Sequence, residues 1–240
     1  MIPQVIALPL ARFLNFVIKQ ISAVLLDLEA DELRKVPPKG PLILAANHIN
    51  FIEVPVVYTH LQPRPITGLA KAEIWNTPLM ALLFNLWGGI PVRRGEADIL
   101  AVKRCLQALR EEKIVAIAPE GTRSGDGRLR KGHSGIVWLA MKSKAPILPL
   151  AFYGAENYWR KLRNLRKIPF RVRVGEPFII EPPSEPLNQR LRAQITDEIM
   201  VRIAALLPPA YRGIYAHRVN ERPRYLKPFT FDPPADPISA

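Results

Sequence analysis

The stretch Pro41-Leu-Ile-Leu-Ala-Ala-Asn-His-Ile-Asn-Phe-Ile-Glu53 joins an uninterrupted apolar run to a polar turn holding a histidine and a carboxylate. Six apolar residues behind the breaker cluster Lys35-Val-Pro-Pro-Lys-Gly40 suit a short buried strand that opens a domain. Working outward, similar runs at Ile66–Ala70, Ile90–Val92, Ile114–Ala118, Ile147–Tyr153 and Phe170–Val174 predict further strands. Helical periods separate them at Thr77–Leu86, Ala97–Glu111 and Ser134–Lys142, and an amphipathic helix runs from about Leu187 to Leu207. This alternation predicts an α/β fold: a single mixed, mostly parallel sheet flanked by helices.

A chain of 240 residues, 48% hydrophobic, suffices for one sizeable core. The expected organisation is an N-terminal segment over residues 1–34, an α/β domain over 35–207, and a proline-rich tail over 208–240 that is extended or disordered. A net charge of +13 suits polyanionic partners without choosing between phospholipid, nucleic acid and phosphorylated substrate. The lone Cys105 excludes an intrachain disulfide, and no Cys/His spacing predicts a zinc site or any other metal.

Val5 to Leu28 is long and apolar enough to test as a membrane span, yet Arg12, Asn15, Lys19 and Gln20 interrupt it. Placed on one helical face opposite Leu8, Phe13, Leu14, Ile21 and Leu25, they predict an amphipathic helix lying in the interface. The other reading is a helix packed on its own domain. The run starts Met-Ile-Pro-Gln and ends Asp-Leu-Glu-Ala-Asp-Glu, which predicts that it is not a cleaved signal.

The chemistry gathers where predicted strands end. His48 follows the first strand, with Glu53 five residues on; a loop-to-helix junction would let the carboxylate reach back to the imidazole. A carboxylate that fixes the tautomer leaves the other ring nitrogen free to take a proton from an alcohol, so His48 is the candidate base and Glu53 its orienter. A satisfied structural histidine is the plainer alternative. Pro119-Glu120-Gly121-Thr122-Arg123-Ser124 follows another strand on the same sheet edge, with donors suited to phosphate, although a simple surface turn would also fit. Arg93 and Arg94 after Val92, and Lys131 after the Glu120 loop, complete the candidate set.

These blocks resemble the glycerolipid acyltransferase family that includes the 1-acylglycerol-3-phosphate acyltransferases. His48 through Glu53 looks like its His-x-x-x-x-Asp block, Gly88-Gly-Ile-Pro-Val-Arg-Arg94 is similar to the second, Pro119–Ser124 reproduces the third, and Ile147-Leu-Pro-Leu150 resembles the fourth. The resemblance spans roughly residues 41–177 and implies His48 as general base. It implies an acceptor-phosphate site at Arg94 and Glu120-Gly121-Thr122-Arg123, and an acyl-side wall at Pro149. Two residues depart from the pattern: Glu53 stands where the family usually has aspartate, and Arg93 where it often has an acid.

The implied reaction moves a fatty acyl group from acyl-CoA or acyl carrier protein, as co-substrate and with no cofactor, onto lysophosphatidic acid; the alternatives are another lysophospholipid or glycerol 3-phosphate as acceptor, or a non-catalytic membrane- or polyanion-binding relative. It needs no serine or cysteine nucleophile. Backbone amides near Gly121 or in the His48 turn are the candidate oxyanion donors. Tyr158-Trp-Arg-Lys-Leu-Arg-Asn-Leu-Arg-Lys167 puts aromatics ahead of basic residues, as a membrane surface favours. No nucleic-acid motif accompanies it, so nucleic acid is not an expected partner. The expected location is peripheral or monotopic on the cytoplasmic membrane face.

Overall fold

A computed structural model describes residues 4–93 and 98–231. Helix α1 (Gln4–Leu25) runs directly into strand β1 (Leu26–Glu29), followed by β2 (Leu42–Ala46), α2 (Glu53–His60), β3 (Ile66–Lys71), α3 (Pro78–Leu86) and β4 (Ile90–Val92). Then come α4 (Ile99–Arg110), β5 (Ile114–Ile117), α5 (Gly135–Ser143), β6 (Ile147–Tyr153), α6 (Tyr158–Arg163), β7 (Ile168–Val174), β8 (Phe178–Ile180), α7 (Gln189–Leu206) and β9 (Leu226–Pro228).

The strands form one nine-stranded sheet whose main path is β1-β7-β6-β2-β5-β3-β4, with β8 and β9 branching from β6. From β6 to β4 all neighbours are parallel, whereas β7 runs antiparallel to β6. β2 lies at the centre and is buried at all five positions, as a parallel strand covered on both faces should be. Ile43 and Ala45 face α4, α5 and α7, while Leu42 and Leu44 face α2 and the inner side of α1. Because β2 and β5 are parallel neighbours, both of their polar loops leave the same sheet edge. Asp98 caps α4 by accepting the Ala101 amide at 2.8 Å and also accepts the Arg93 amide at 3.3 Å.

Three expectations need correction. First, the N-terminal helix does not continue to Leu28: Leu26–Glu29 pairs in parallel with Ile168–Arg171. Outward-facing Asp27 and Glu29 meet Arg171, and Glu29 also meets Arg173 at 2.8 Å, so side-chain alternation and charge pairing favour a strand there. Second, Asn15 does not face solvent with Arg12 and Lys19; it is only 8% exposed and accepts a hydrogen bond from Trp87 Nε1 at 2.8 Å. A buried indole donor supplies the partner that lets this amide turn inward. Third, the chain beyond Pro208 is neither extended nor disordered as far as Phe231. Two short 3-10 turns lead to β9, which pairs with β8, and buried Tyr215 donates to Asp197 at 3.1 Å. Proline masks periodicity here, and aromatic anchors do the packing. β1 and β9 thus belong to the same sheet, although they fall outside the expected domain limits of 35 and 207.

Candidate active site

The turn after β2 is fixed before any substrate arrives. Asn47 extends the strand by a reciprocal amide pair with Phe152, donating to its carbonyl at 2.8 Å and accepting its N–H at 2.7 Å. Asn50 accepts the Ile52 amide and donates to the Ala155 carbonyl at 2.9 Å, stapling the far side of the turn. Between them sits His48, with the turn secured on each side.

Glu53 opens α2, where a carboxylate is favoured by the helix dipole. Its Oε1 accepts the amides of Ile49 at 2.7 Å and Asn50 at 2.8 Å, so the side chain does reach back across the loop-to-helix junction. Its Oε2 lies 3.4 Å from His48 Nδ1, an ion-pair distance longer than an aligned hydrogen bond, and this buried oxygen has no hydrogen-bond partner among the described residues. Catalytic hydrogen bonds are often long before substrate binds. With Nδ1 turned towards Glu53, Nε2 is the ring nitrogen that does not face this carboxylate. Replacing Glu53 by Gln should lower kcat by about tenfold or more, because an amide keeps the backbone bonds but loses the charge facing the imidazole. Glu53→Asp should keep most activity. Steady-state kinetics on variants with matched Tm would check this, and equal kcat for Glu and Gln would remove the orienting role.

Glu120 occupies a different place from the one expected. Its carboxylate is buried and does not open to a phosphate: Oε2 accepts the His48 amide and Oε1 the Arg130 amide, both at 2.8 Å. Burial raises its pKa from the ordinary carboxylate value, and the two amide bonds pull the other way. Ser124 and Gly125 complete the lashing by donating their amides to the carbonyls of His48 at 2.7 Å and Ile49 at 3.2 Å. Arg130 Nη2 donates to the Ser124 carbonyl at 2.7 Å. The β2 and β5 loops therefore form one hydrogen-bonded unit.

Gly121 adopts φ +66°, which favours glycine. Beside it lies His133: a Cβ on Gly121 would come to 3.0 Å from that imidazole, so His133 packs against the face of Gly121 that a side chain would occupy. Of the expected oxyanion donors, four are engaged within the protein: the Gly121 amide bonds the Ala118 carbonyl, and the amides of His48, Ile49 and Asn50 bond carboxylates.

Thr122 is half-buried and Arg123 is exposed on the same loop, Ser124 is buried with its hydroxyl unpartnered among the described residues, and Lys131 is exposed after it. Arg93 is exposed at the end of β4 on the same sheet edge, while Arg94 lies outside the described residues. Pro149 is not brought to these loops. It sits within β6, in register with Ala45 and against Gly175, and accepts that residue's amide at 2.9 Å.

His133, Asn47 and Asn50 were not among the expected site residues; only the asparagines' flanking of His48 hinted at a part. Phe51, exposed beside His48, meets Tyr158 edge-on at 5.3 Å, so the basic run starting at α6 borders the site. Among the described residues no cluster of three or more His, Cys, Asp or Glu could hold a metal ion.

The model of the family described as Acyltransferase matches residues 27–153, which include the strands and loops that build this site. The chain belongs to the acyltransferase family. Within that family it is 35% identical over 143 residues to a 1-acyl-sn-glycerol-3-phosphate acyltransferase of Limnanthes alba, covering 58% of this chain and 50% of the relative. A protein of the same name from Borreliella burgdorferi is 28% identical over 128 residues, covering 52% of this chain and 51% of the relative. A lyso-ornithine lipid O-acyltransferase of Pseudomonas aeruginosa is 29% identical over 115 residues, covering 48% and 43%. The chain thus spans about half the length of the curated relatives it matches. The crystal structure of the 1-acyl-sn-glycerophosphate acyltransferase from Thermotoga maritima shares the fold, with a TM-score of 0.59, 17% identity, and coverage of 82% of this chain and 79% of that one.

Proposed function

We propose that this acyltransferase-family chain transfers a fatty acyl group from a thioester to the free hydroxyl of lysophosphatidic acid, giving phosphatidic acid. The observation that carries this reading is His48, whose Nδ1 faces buried Glu53 and whose N–H and C=O are held by Glu120 and Ser124. His48 Nε2 takes the hydroxyl proton as that oxygen adds to the thioester carbonyl. The oxyanion collapses, the carbon–sulfur bond breaks, and the imidazolium returns its proton to the departing thiolate. Arg123, with Arg93 and Arg94, supplies the charge that holds the acceptor's phosphate. The acyl thioester of coenzyme A or of acyl carrier protein is a co-substrate, and no other cofactor takes part. Helix α1 and the basic run Arg160–Lys167 hold the enzyme on the cytoplasmic membrane face, where lipid acceptors reside.

The deciding experiment offers acyl-CoA and acyl carrier protein separately to the full chain with lysophosphatidic acid, glycerol 3-phosphate, lysophosphatidylcholine and lyso-ornithine lipid. Lysophosphatidic acid should give the highest kcat/KM. Lipid binding without turnover would identify a non-catalytic relative, and turnover confined to lyso-ornithine lipid would overturn the phosphate assignment. Arg123→Ala should lower kcat/KM for the phosphorylated acceptor by about tenfold or more, in line with loss of a charge-assisted hydrogen bond, and leave the donor's KM unchanged. An effect confined to the donor would place Arg123 on the thioester side.

A further inference from the structure

Helix α1 is turned inside out for a water-soluble protein. Asn15 and Ser22 point into the body, while Phe13, Phe16 and Val24 are each more than half exposed. Its stretch Leu8–Leu25 is apolar and long enough to cross a membrane by length and composition. An apolar surface recurs in α3, whose sequence Pro-Leu-Met-Ala-Leu-Leu-Phe-Asn-Leu packs Leu83 against the core but contains no buried residue and leaves Leu79 59% exposed. The two helices are neighbours, joined by the buried Asn15–Trp87 hydrogen bond just beyond the end of α3. Trp75 flanks α3, bonding Asn85 at 2.8 Å and meeting Phe84 edge-on at 5.5 Å.

We infer that α3, together with α1, forms a bilayer-seated platform, so that the protein touches lipid through two helices. This rests on the proposed membrane-bound function and adds a contact surface that the amphipathic N-terminus alone does not supply. An exposed apolar face of this kind marks an interaction site, and charge selects the occupant. Residues 1–26 and 74–95 contain no Asp or Glu, and neither do residues 157–175. This third segment adjoins the end of α1, where Lys167 Nζ donates to the Ala23 carbonyl at 3.4 Å. The charges these segments carry are all cationic, among them Arg12, Lys19, Arg160, Arg163 and Arg166. Such a face suits an anionic lipid surface, whereas a second copy would set like charges against each other. Trp75 and Trp159 at its margins suit the headgroup level.

Single-cysteine variants of the full chain, Phe16→Cys, Leu79→Cys and Ile214→Cys, labelled with an environment-sensitive fluorophore, test the inference on vesicles of phosphatidylglycerol and phosphatidylcholine. Native Cys105 can stay, because it is buried and burial pushes its thiol up to about 11. Labels at 16 and 79 should shift to the blue and be quenched by lipid-borne spin labels, while the label at exposed Ile214 should not. Leu79→Glu in the unlabelled chain should weaken vesicle binding about tenfold or more, with transfer to a monomeric short-chain acceptor unchanged. A shift at 16 alone, with Leu79→Glu binding normally, overturns the α3 contact and leaves the membrane-bound reading standing. No shift at either site, with the protein remaining in the supernatant, overturns both. A blue shift at 79 that grows with protein concentration without vesicles assigns the face to a second copy and overturns the lipid platform.

Discussion

Replacing His48 by alanine should lower the rate constant for acyl transfer by about 10²–10⁴-fold, the usual contribution of a positioned general base. The fold should survive, because the bonds that hold this turn involve the His48 backbone and not its imidazole: its N–H donates to Glu120 and its carbonyl accepts from Ser124. Matched Tm values with collapsed turnover are therefore the expected pair of measurements. On the proposed mechanism the acceptor's KM should change little, since the imidazole would act on the reacting hydroxyl and the phosphate would be bound elsewhere. Unchanged turnover in a folded His48→Ala protein would remove the proposed mechanism.

A second large effect is expected at Glu120, through a route the motif alone does not disclose. The buried carboxylate accepts one amide on each oxygen, from His48 and from Arg130. Glu120→Ala removes the acceptor of two part-buried N–H groups, at up to about 1–3 kcal/mol each, so Tm should fall. Glu120→Gln is the sharper test because it keeps the shape while turning an NH₂ group against one of the two amides. It should cost one such bond and reduce kcat strongly by shifting His48, with little change in the acceptor's KM. A raised acceptor KM at unchanged kcat would instead return Glu120 to direct ligand binding.

The sheet was legible in the sequence because its central strands are buried on both faces and therefore read as continuous apolar runs. Pro41–Ala46, Ile114–Ala118 and Ile147–Tyr153 each lie within about a residue of β2, β5 and β6. Strand β1 was hidden because Leu26 and Leu28 extend an apolar helix without a break; only its pairing with β7 distinguishes the two. α2 is short and buried, so it carries no amphipathic period to detect. At the site, His48 and Glu53 could be paired by spacing, and parallel strands ensured that the Glu120 loop would emerge beside them. What spacing could not reveal was the direction of each side chain. Glu120, Asn47 and Asn50 spend their hydrogen bonds on backbone, Pro149 stays inside the sheet, and His133 folds back against Gly121 from further along the same connection between β5 and α5.

The junction between α1 and β1 has no linker: the helix ends at Leu25 and the strand begins at Leu26. The helix is therefore a handle geared to the sheet through the pairing of Leu26 with Ile168, with no swivel between them. Its rotational phase is set by residue count, so one residue inserted before Leu26 would turn the upstream helix by about 100°. Asn15 would leave Trp87, and a different set of side chains would point outward. Exchanging this segment for another apolar helix thus demands conservation of angle as well as hydrophobicity, a constraint that a flexible tether would never impose.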